Sequence, residues 1–285
     1  MLSPVTGLKC TLPNKGWARP TYRTAMIRLL TFVFCLFAST GIYAPAQAQN
    51  NSDTLRYVPA NIENISDALF KRGILKTSDS AAVEEYVRIH YCGLYEQYQR
   101  DDFSWARIRE GQTRDLETRL TTLPDGLEIA NKLYLSQYDM ASGQFGLLAR
   151  SALNNVGTII AFVDASGFLN ACNRPFVPRV HPLELNLKLD KPVTLSAIPM
   201  SHDAAKALLA DINARKMMEE SEKRSVLLVF RVRITGVDPL SVATDPLHRT
   251  VMGQLDDIRI FEGPNRKQLL FRKVFETQPV KNGKN

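Results

Sequence analysis

The residues with most scope for acid–base chemistry at neutral pH are four histidines, His90, His181, His202 and His248. No two of them stand at a metal-ligand spacing such as i, i+4 on one helix. Ser201-His202-Asp203 contains the three residue types of a hydrolase triad, but contiguous residues cannot form the required chain of hydrogen bonds. Ser201 reads instead as a helix N-cap, and Asp203 as an acid of the first turn. His90 falls on an apolar helix face among tyrosines, where a histidine ordinarily is a satisfied core residue. His181 and His248 lie near prolines in loops and carry no local signal. The chain has no G-x-S-x-G, Walker loop, G-x-G-x-x-G, H-E-x-x-H or EF-hand loop. The expectation is no catalytic, cofactor-binding or metal-ligating set.

Cysteine offers a second chemistry. Cys172 could serve as a nucleophile with a histidine as base, yet Ala171-Cys172-Asn173-Arg174-Pro175 matches no thiol-protease signature. Cys10 and Cys35 fall in an apparent export leader. That leaves Cys92 and Cys172, which in an oxidising compartment are expected to form one disulfide.

The leader itself has three parts. Arg28 precedes the apolar run Leu29 to Ala38, and Ala44-Pro45-Ala46-Gln47-Ala48 supplies an A-x-A site. Cleavage is expected between Ala48 and Gln49. Met26-Ile27-Arg28 makes a compact start, so translation is expected to begin at Met26. An uncleaved anchor is the rival reading, weakened by Pro45 and the polar end of the run. The leader carries five bases and no acid, so its removal lowers the net charge from +7 to +2. That near-neutral balance argues against a nucleic-acid partner. No further span of membrane length follows Ala48.

The elements that must position any site begin after residue 49. Asn61 caps a short helix carrying Ile62, Ile65 and Leu69, with Gly73 as its stop. Capping residues at Thr77 to Ser80 open a longer helix. Val83, Tyr86, Val87, His90, Tyr91, Leu94 and Tyr98 recur along it at three- and four-residue steps. Cys92 projects nearly opposite that stripe. A third helical segment runs from about 102 to 120, ended by Pro124-Asp125-Gly126. From Leu127 the period shifts to two. Leu183, Leu185, Leu187 and Leu189 alternate with polar residues, and Leu228, Phe230, Val232 and Ile234 alternate with Arg231 and Arg233. Further strands are expected at 128–138, 144–149, 156–163 and 193–199. A hairpin is expected across 254–262 and 268–275, and a Ser201-capped helix is inserted among the strands.

Two surfaces could recognise a partner. Tyr86, Tyr91, Tyr95 and Tyr98 could form an aromatic platform, although their stripe favours core packing. Arg231, Arg233, Arg259, Arg272 and Lys273 could form a basic sheet face, diluted by Asp256, Asp257 and Glu262 into a solvated mixed-charge surface.

Tyr134-Leu135-Ser136-Gln137-Tyr138-Asp139 with Phe145, Pro199-Met200-Ser201, and Val226 to Ile234 resemble an uncharacterised family of exported Gram-negative bacterial proteins, a domain of unknown function. The resemblance implies an envelope setting and no activity, so it assigns no site residue. The fold expected is α+β, with N-terminal helices followed by a mainly antiparallel sheet or sandwich and one inserted helix. A leader at 1–48, a helical region at 49–126 and a β-rich region at 127–285 would make up the chain, the last two packed as one unit. The expected role is a periplasmic or secreted, non-enzymatic protein that binds an envelope protein or ligand. An exported hydrolase using His90 or His202 with nearby acids is the alternative. A cleft joining two histidines with carboxylates would favour the hydrolase, and a closed core with scattered histidines would favour binding.

Overall fold

Alternating apolar residues build the larger part of this α+β protein, and amphipathic helices cover it. The computed structural model describes residues 57–124, 126–172, 174–215, 219–238 and 245–275. The expected start at Met26 and the cleavage between Ala48 and Gln49 lie outside the described residues. In chain order the elements are β1 (Tyr57–Pro59), α1 (Ile62–Lys71), α2 (Ser80–His90), α3 (Cys92–Tyr98), α4 (Asp102–Arg119), β2 (Gly126–Asp139), β3 (Gln144–Leu147) and β4 (Leu153–Val163). They continue with β5 (Leu169–Ala171), β6 (Arg174–Phe176), β7 (Glu184–Leu195), β8 (Ala197–Pro199), α5 (His202–Ala214), α6 (Glu220–Lys223), β9 (Ser225–Val237), β10 (His248–Phe261) and β11 (Leu269–Val274).

One large sheet runs β4-β7-β10-β9-β2-β3-β8, with β1 added on β2 and β11 on β10, while β5 and β6 pair separately. The expected description needs three corrections. A strand, β1, precedes the helices and pairs parallel with β2, because the four helices carry the chain back to the same edge in the same direction. β7 and β10 are also parallel, so the sheet is mixed, although its other long pairings are antiparallel as expected. Two helices, α5 and the one-turn α6, interrupt the strands where one was expected.

The period-two positions meet the helices in one core. Leu185 and Leu187 of β7, Phe230 and Val232 of β9, and Ile258 and Ile260 of β10 are buried with Ile65 and Leu69 of α1 and Leu208 and Ile212 of α5. Val83, Val87 and Trp105 form a second, smaller cluster between α2 and α4. The stripe on α2 therefore serves two cores, one on each side.

Helix ends follow local chemistry. The Asn61 side chain accepts from the Asn64 N–H at 2.9 Å, Asp79 caps α2, and Ser201 caps α5. Gly73, at φ +65°, closes α1. Its N–H reaches the Phe70 carbonyl and the Ile74 N–H the Leu69 carbonyl, the paired bonds of a Schellman motif. The helix expected across 80–98 breaks at Tyr91, whose φ of −129° and ψ of 53° end α2 and cap α3. The break turns Tyr91 inward, where its hydroxyl accepts from Arg119 Nη1 at 2.7 Å.

The far face of the sheet also departs from expectation. Glu128, Arg231 and Asp257 are cross-strand neighbours on β2, β9 and β10. Arg231 Nε donates to Glu128 at 2.8 Å and Arg266 binds the other oxygen. Arg259 and Arg272 both donate to Asp257, and Arg233 pairs with Asp256. Arg231 is 6% exposed and Asp257 4%, so the centre of this face is a buried ion-pair network and not a solvated surface. The crossed pairs shield one another, and the Tyr57 ring lies 4.8 Å below the Arg231 guanidinium. Lys273 stands in register with Ile258 and so does not share the Arg231 face.

Candidate functional site

The polar groups that matter converge between α1, α2 and the segment Pro178 to Pro182. Between its two prolines the backbone bends at residues 179–181, which turns neighbouring N–H groups to one side. Its successive N–H groups at Arg179, Val180 and His181 all donate to the Glu85 carboxylate on α2, the last at 2.9 Å. Arg249 secures the segment from outside by donating to the Val180 carbonyl at 3.0 Å.

The His181 ring then completes a relay. Nδ1 lies 2.9 Å from Glu85 Oε2, and Nε2 lies 2.8 Å from the Ser66 hydroxyl on α1. Burial favours the neutral Glu85 carboxyl, but the His181 side chain and the Arg179 and His181 N–H groups outweigh it and hold the group below its ordinary range. An ionised Glu85 takes the proton-bearing Nδ1, which leaves Nε2 to accept from Ser66. Ser66–His181–Glu85 thus has the connectivity of a hydrolase triad. Ser66 and His181 are fully buried, however, and Ser66 sits inside α1, where the N–H groups that could hold an oxyanion are committed to the helix.

A second histidine–carboxylate pair lies beside it. His90, at the end of α2, places Nε2 3.4 Å from Asp67 Oδ1 of α1. Neither atom makes a hydrogen bond among the described residues, which departs from the satisfied core histidine expected. Burial, then the charge of Arg119 and that of His181 when its ring is protonated, push His90 down to about 4, only partly countered by the Glu63 carbonyl. Burial raises Asp67, against Arg119 and the Tyr86 hydroxyl. The His90 ring stacks 4.2 Å from Tyr86, whose edge meets Phe70 at 5.4 Å, and the Phe70 ring lies 6.1 Å from His181. Aromatic side chains therefore wall the two pairs apart while sharing their helices.

Two of the four histidines are gathered here with two carboxylates, but in a closed core and not in a cleft. The others are elsewhere. His202 lies on the surface, 3.3 Å from the Met140 carbonyl and edge-on to Tyr138. His248 pairs with Asp245 at 2.6 Å. Sequence reasoning gave His181 no role and missed Ser66, because their partners are about a hundred residues distant.

Cys92 and Cys172 are bonded to each other across 80 residues. The disulfide ties the start of α3 to the β5–β6 hairpin, where Cys172 takes the left-handed conformation at φ +61°. Glu96 lies close to both sulfurs, forming the one three-residue group of possible metal ligands among the described residues. With the sulfurs joined, no thiolate pair is available to a metal.

The Cys172 sulfur lies 3.7 Å from the carbonyl of Arg88, whose side chain lines a small polar pocket of about 130 Å³. Arg88 of α2 stands in it with its guanidinium carbon 4.0 Å from the Phe176 ring centroid and 4.9 Å from that of Tyr95. Tyr95 in turn packs edge-on against Trp105 at 5.5 Å. The tyrosine stripe is thus chiefly a packing feature, with Tyr95 contributing to the pocket wall.

Residues 79–211 match a family described as a domain of unknown function, DUF4852. The match takes in α2 through most of α5, including Glu85, His90, both cysteines and His181, while Ser66 and Asp67 precede it. Two of the three segments behind the family resemblance, 134–145 and 199–201, lie inside it. No curated protein and no solved structure matches the chain.

Proposed function

We propose that this chain is an exported, non-catalytic binding protein of the bacterial envelope. The observation that supports this reading best is the full burial of Ser66 and His181. A substrate must reach the nucleophile, and here the serine hydroxyl and imidazole are both without solvent access. The chain of bonds instead joins α1, α2 and the 178–182 segment into one unit, a role for which full burial is an advantage. Export draws support from the leader pattern before Ala48 and, more weakly, from the disulfide. Among the described residues no helix is long and apolar enough to cross a membrane.

The hydrolase reading keeps one specific support. The serine, imidazole and carboxylate are connected in the right order, with bond lengths of 2.8 and 2.9 Å. It would require α1 or the 178–182 segment to move aside. The test is a panel of ester, peptide, phosphoester and glycoside substrates offered to purified protein, with Ser66→Ala and His181→Ala in parallel. Binding without catalysis predicts no turnover above background in any of the three proteins. Turnover abolished by Ser66→Ala, in a variant that remains folded, would reverse the assignment.

A further inference from the structure

We infer that the pocket around Arg88 is a binding site for a carboxylate carried on an apolar group. The inference rests on the reading of the chain as a binding protein and gives it a ligand class.

The guanidinium of Arg88 lies against two aromatic rings. Phe176 covers one approach at 4.0 Å and Tyr95 stands at 4.9 Å, so rotation of the side chain is restricted and hydrogen bonding is left to the edge of the fork. That edge is unfilled. Nη1 makes only a 3.5 Å contact to the Tyr95 hydroxyl and Nη2 has no hydrogen bond among the described residues, so the Nη1–Nη2 end is the one open to a ligand, while Nε is buried without a partner. Glu84, four residues before Arg88 on the same helix, lines the pocket, yet no ion pair joins the two among the described residues. A stacked arginine with an open fork is preorganised for a planar anion, which can take two parallel N–H bonds from it.

The other walls narrow the ligand. Arg179 also lines the pocket, exposed and without an ion-pair partner among the described residues, and adds a second cation. Glu85 also lines the pocket, but its oxygens are occupied by three N–H groups and His181. Glu84 opposes a second negative charge, which favours a monoanionic carboxylate over a phosphate dianion. Val177 is 70% exposed at the rim, an apolar contact for whatever carries the carboxylate. A volume of about 130 Å³ admits the end of a ligand and not the whole of a larger one.

A peptide C-terminus and a small organic acid share this chemistry. The test is calorimetric titration of the oxidised protein with acetyl-Ala-Ala-Val bearing a free carboxylate, the same peptide amidated, butyrate, and inorganic phosphate. The free peptide or butyrate is expected to bind, and amidation to weaken the peptide at least tenfold. Free peptide tenfold tighter than butyrate assigns the source to chain termini, and equal affinity assigns it to small acids; the carboxylate site stands in both cases. Arg88→Lys keeps the charge and removes the fork, and is expected to cost tenfold or more at an unchanged melting temperature. Arg179→Ala should weaken binding by a smaller factor. Absence of carboxylate binding at millimolar concentration, equal binding of the amide, tighter binding of phosphate, or full affinity in folded Arg88→Lys would each overturn the proposal. None of these results bears on turnover, so this inference can fail while the binding reading survives.

Discussion

Glu85 and His181, 96 residues apart in sequence, are joined by a 2.9 Å hydrogen bond that fastens helix α2 to the proline-flanked segment behind it. The same carboxylate accepts three backbone N–H groups, so one side chain satisfies four donors. Removing it would strand all of them in the core. Glu85→Ala should therefore destabilise the fold by about 3–5 kcal/mol, and Glu85→Gln by less, since an amide oxygen still accepts. Urea denaturation at pH 7 measures both.

Acid should weaken the fold through His90. Its folded pKa of about 4 lies below the ordinary 6.5, because burial, Arg119 and His181 oppose the charged ring. The unfolded chain then binds the proton more readily, so stability is full above about pH 6.5 and falls as pH drops toward about 4. The maximum loss is on the order of 3 kcal/mol. Asp67 works the other way: its raised carboxyl takes up a proton more readily when folded, which offsets part of the loss at the low end. Tyr86 and Arg119, both shifted upward, keep their charge state through this window. Denaturation at pH 7.0, 5.5 and 4.5 should show the decline in wild type and a flatter profile in His90→Gln.

The disulfide should contribute substantially. For a separation of 80 residues, chain entropy gives roughly 4–5 kcal/mol. Cys92→Ser with Cys172→Ser should lose a comparable amount, and reductant should lower the melting temperature of wild type while leaving the double variant unchanged. An intact mass showing two free thiols in oxidised protein would contradict the bridge.

Burial should separate the ion pairs of the sheet face. Glu128 neutralises Arg231 and Arg266, and its carboxylate is 8% exposed. Glu128→Ala should cost about 3–5 kcal/mol. Arg272, 43% exposed, shares Asp257 with Arg259, so Arg272→Ala should cost under about 1 kcal/mol. Equal effects in the two variants would show that the network is solvated after all.

Gly73→Ala tests the end of α1. The left-handed φ of +65° penalises a side chain even though an added methyl group meets nothing within 4 Å. A loss of about 1 kcal/mol is expected, measured by thermal and urea unfolding.

Most elements were legible in the sequence, because caps and periodicity act locally. Asn61, Asp79 and Ser201 each cap the helix they precede, and the leucines of β7 and the apolar set of β9 face inward as their alternation implies. Strand direction was not legible: β1 and β7 become parallel partners of β2 and β10 only through long connections, which period-two patterning does not record. The break at Tyr91 was also hidden, since it answers to Arg119, 28 residues away.

The candidate site divides in the same way. By itself, the sequence pointed to the Cys92–Cys172 bridge and to Ser201 of Ser201-His202-Asp203 as a helix cap. Only the tertiary structure decided that Ser66, Glu85 and His181 meet, that His90 faces Asp67, and that Arg88 lies against both Phe176 and Tyr95. Capping and alternation are short-range consequences of backbone geometry, so residue order encodes them directly. Buried charge and hydrogen-bond satisfaction depend on which distant surfaces the hydrophobic core brings together, and one residue's type says nothing of its partner until that core has formed.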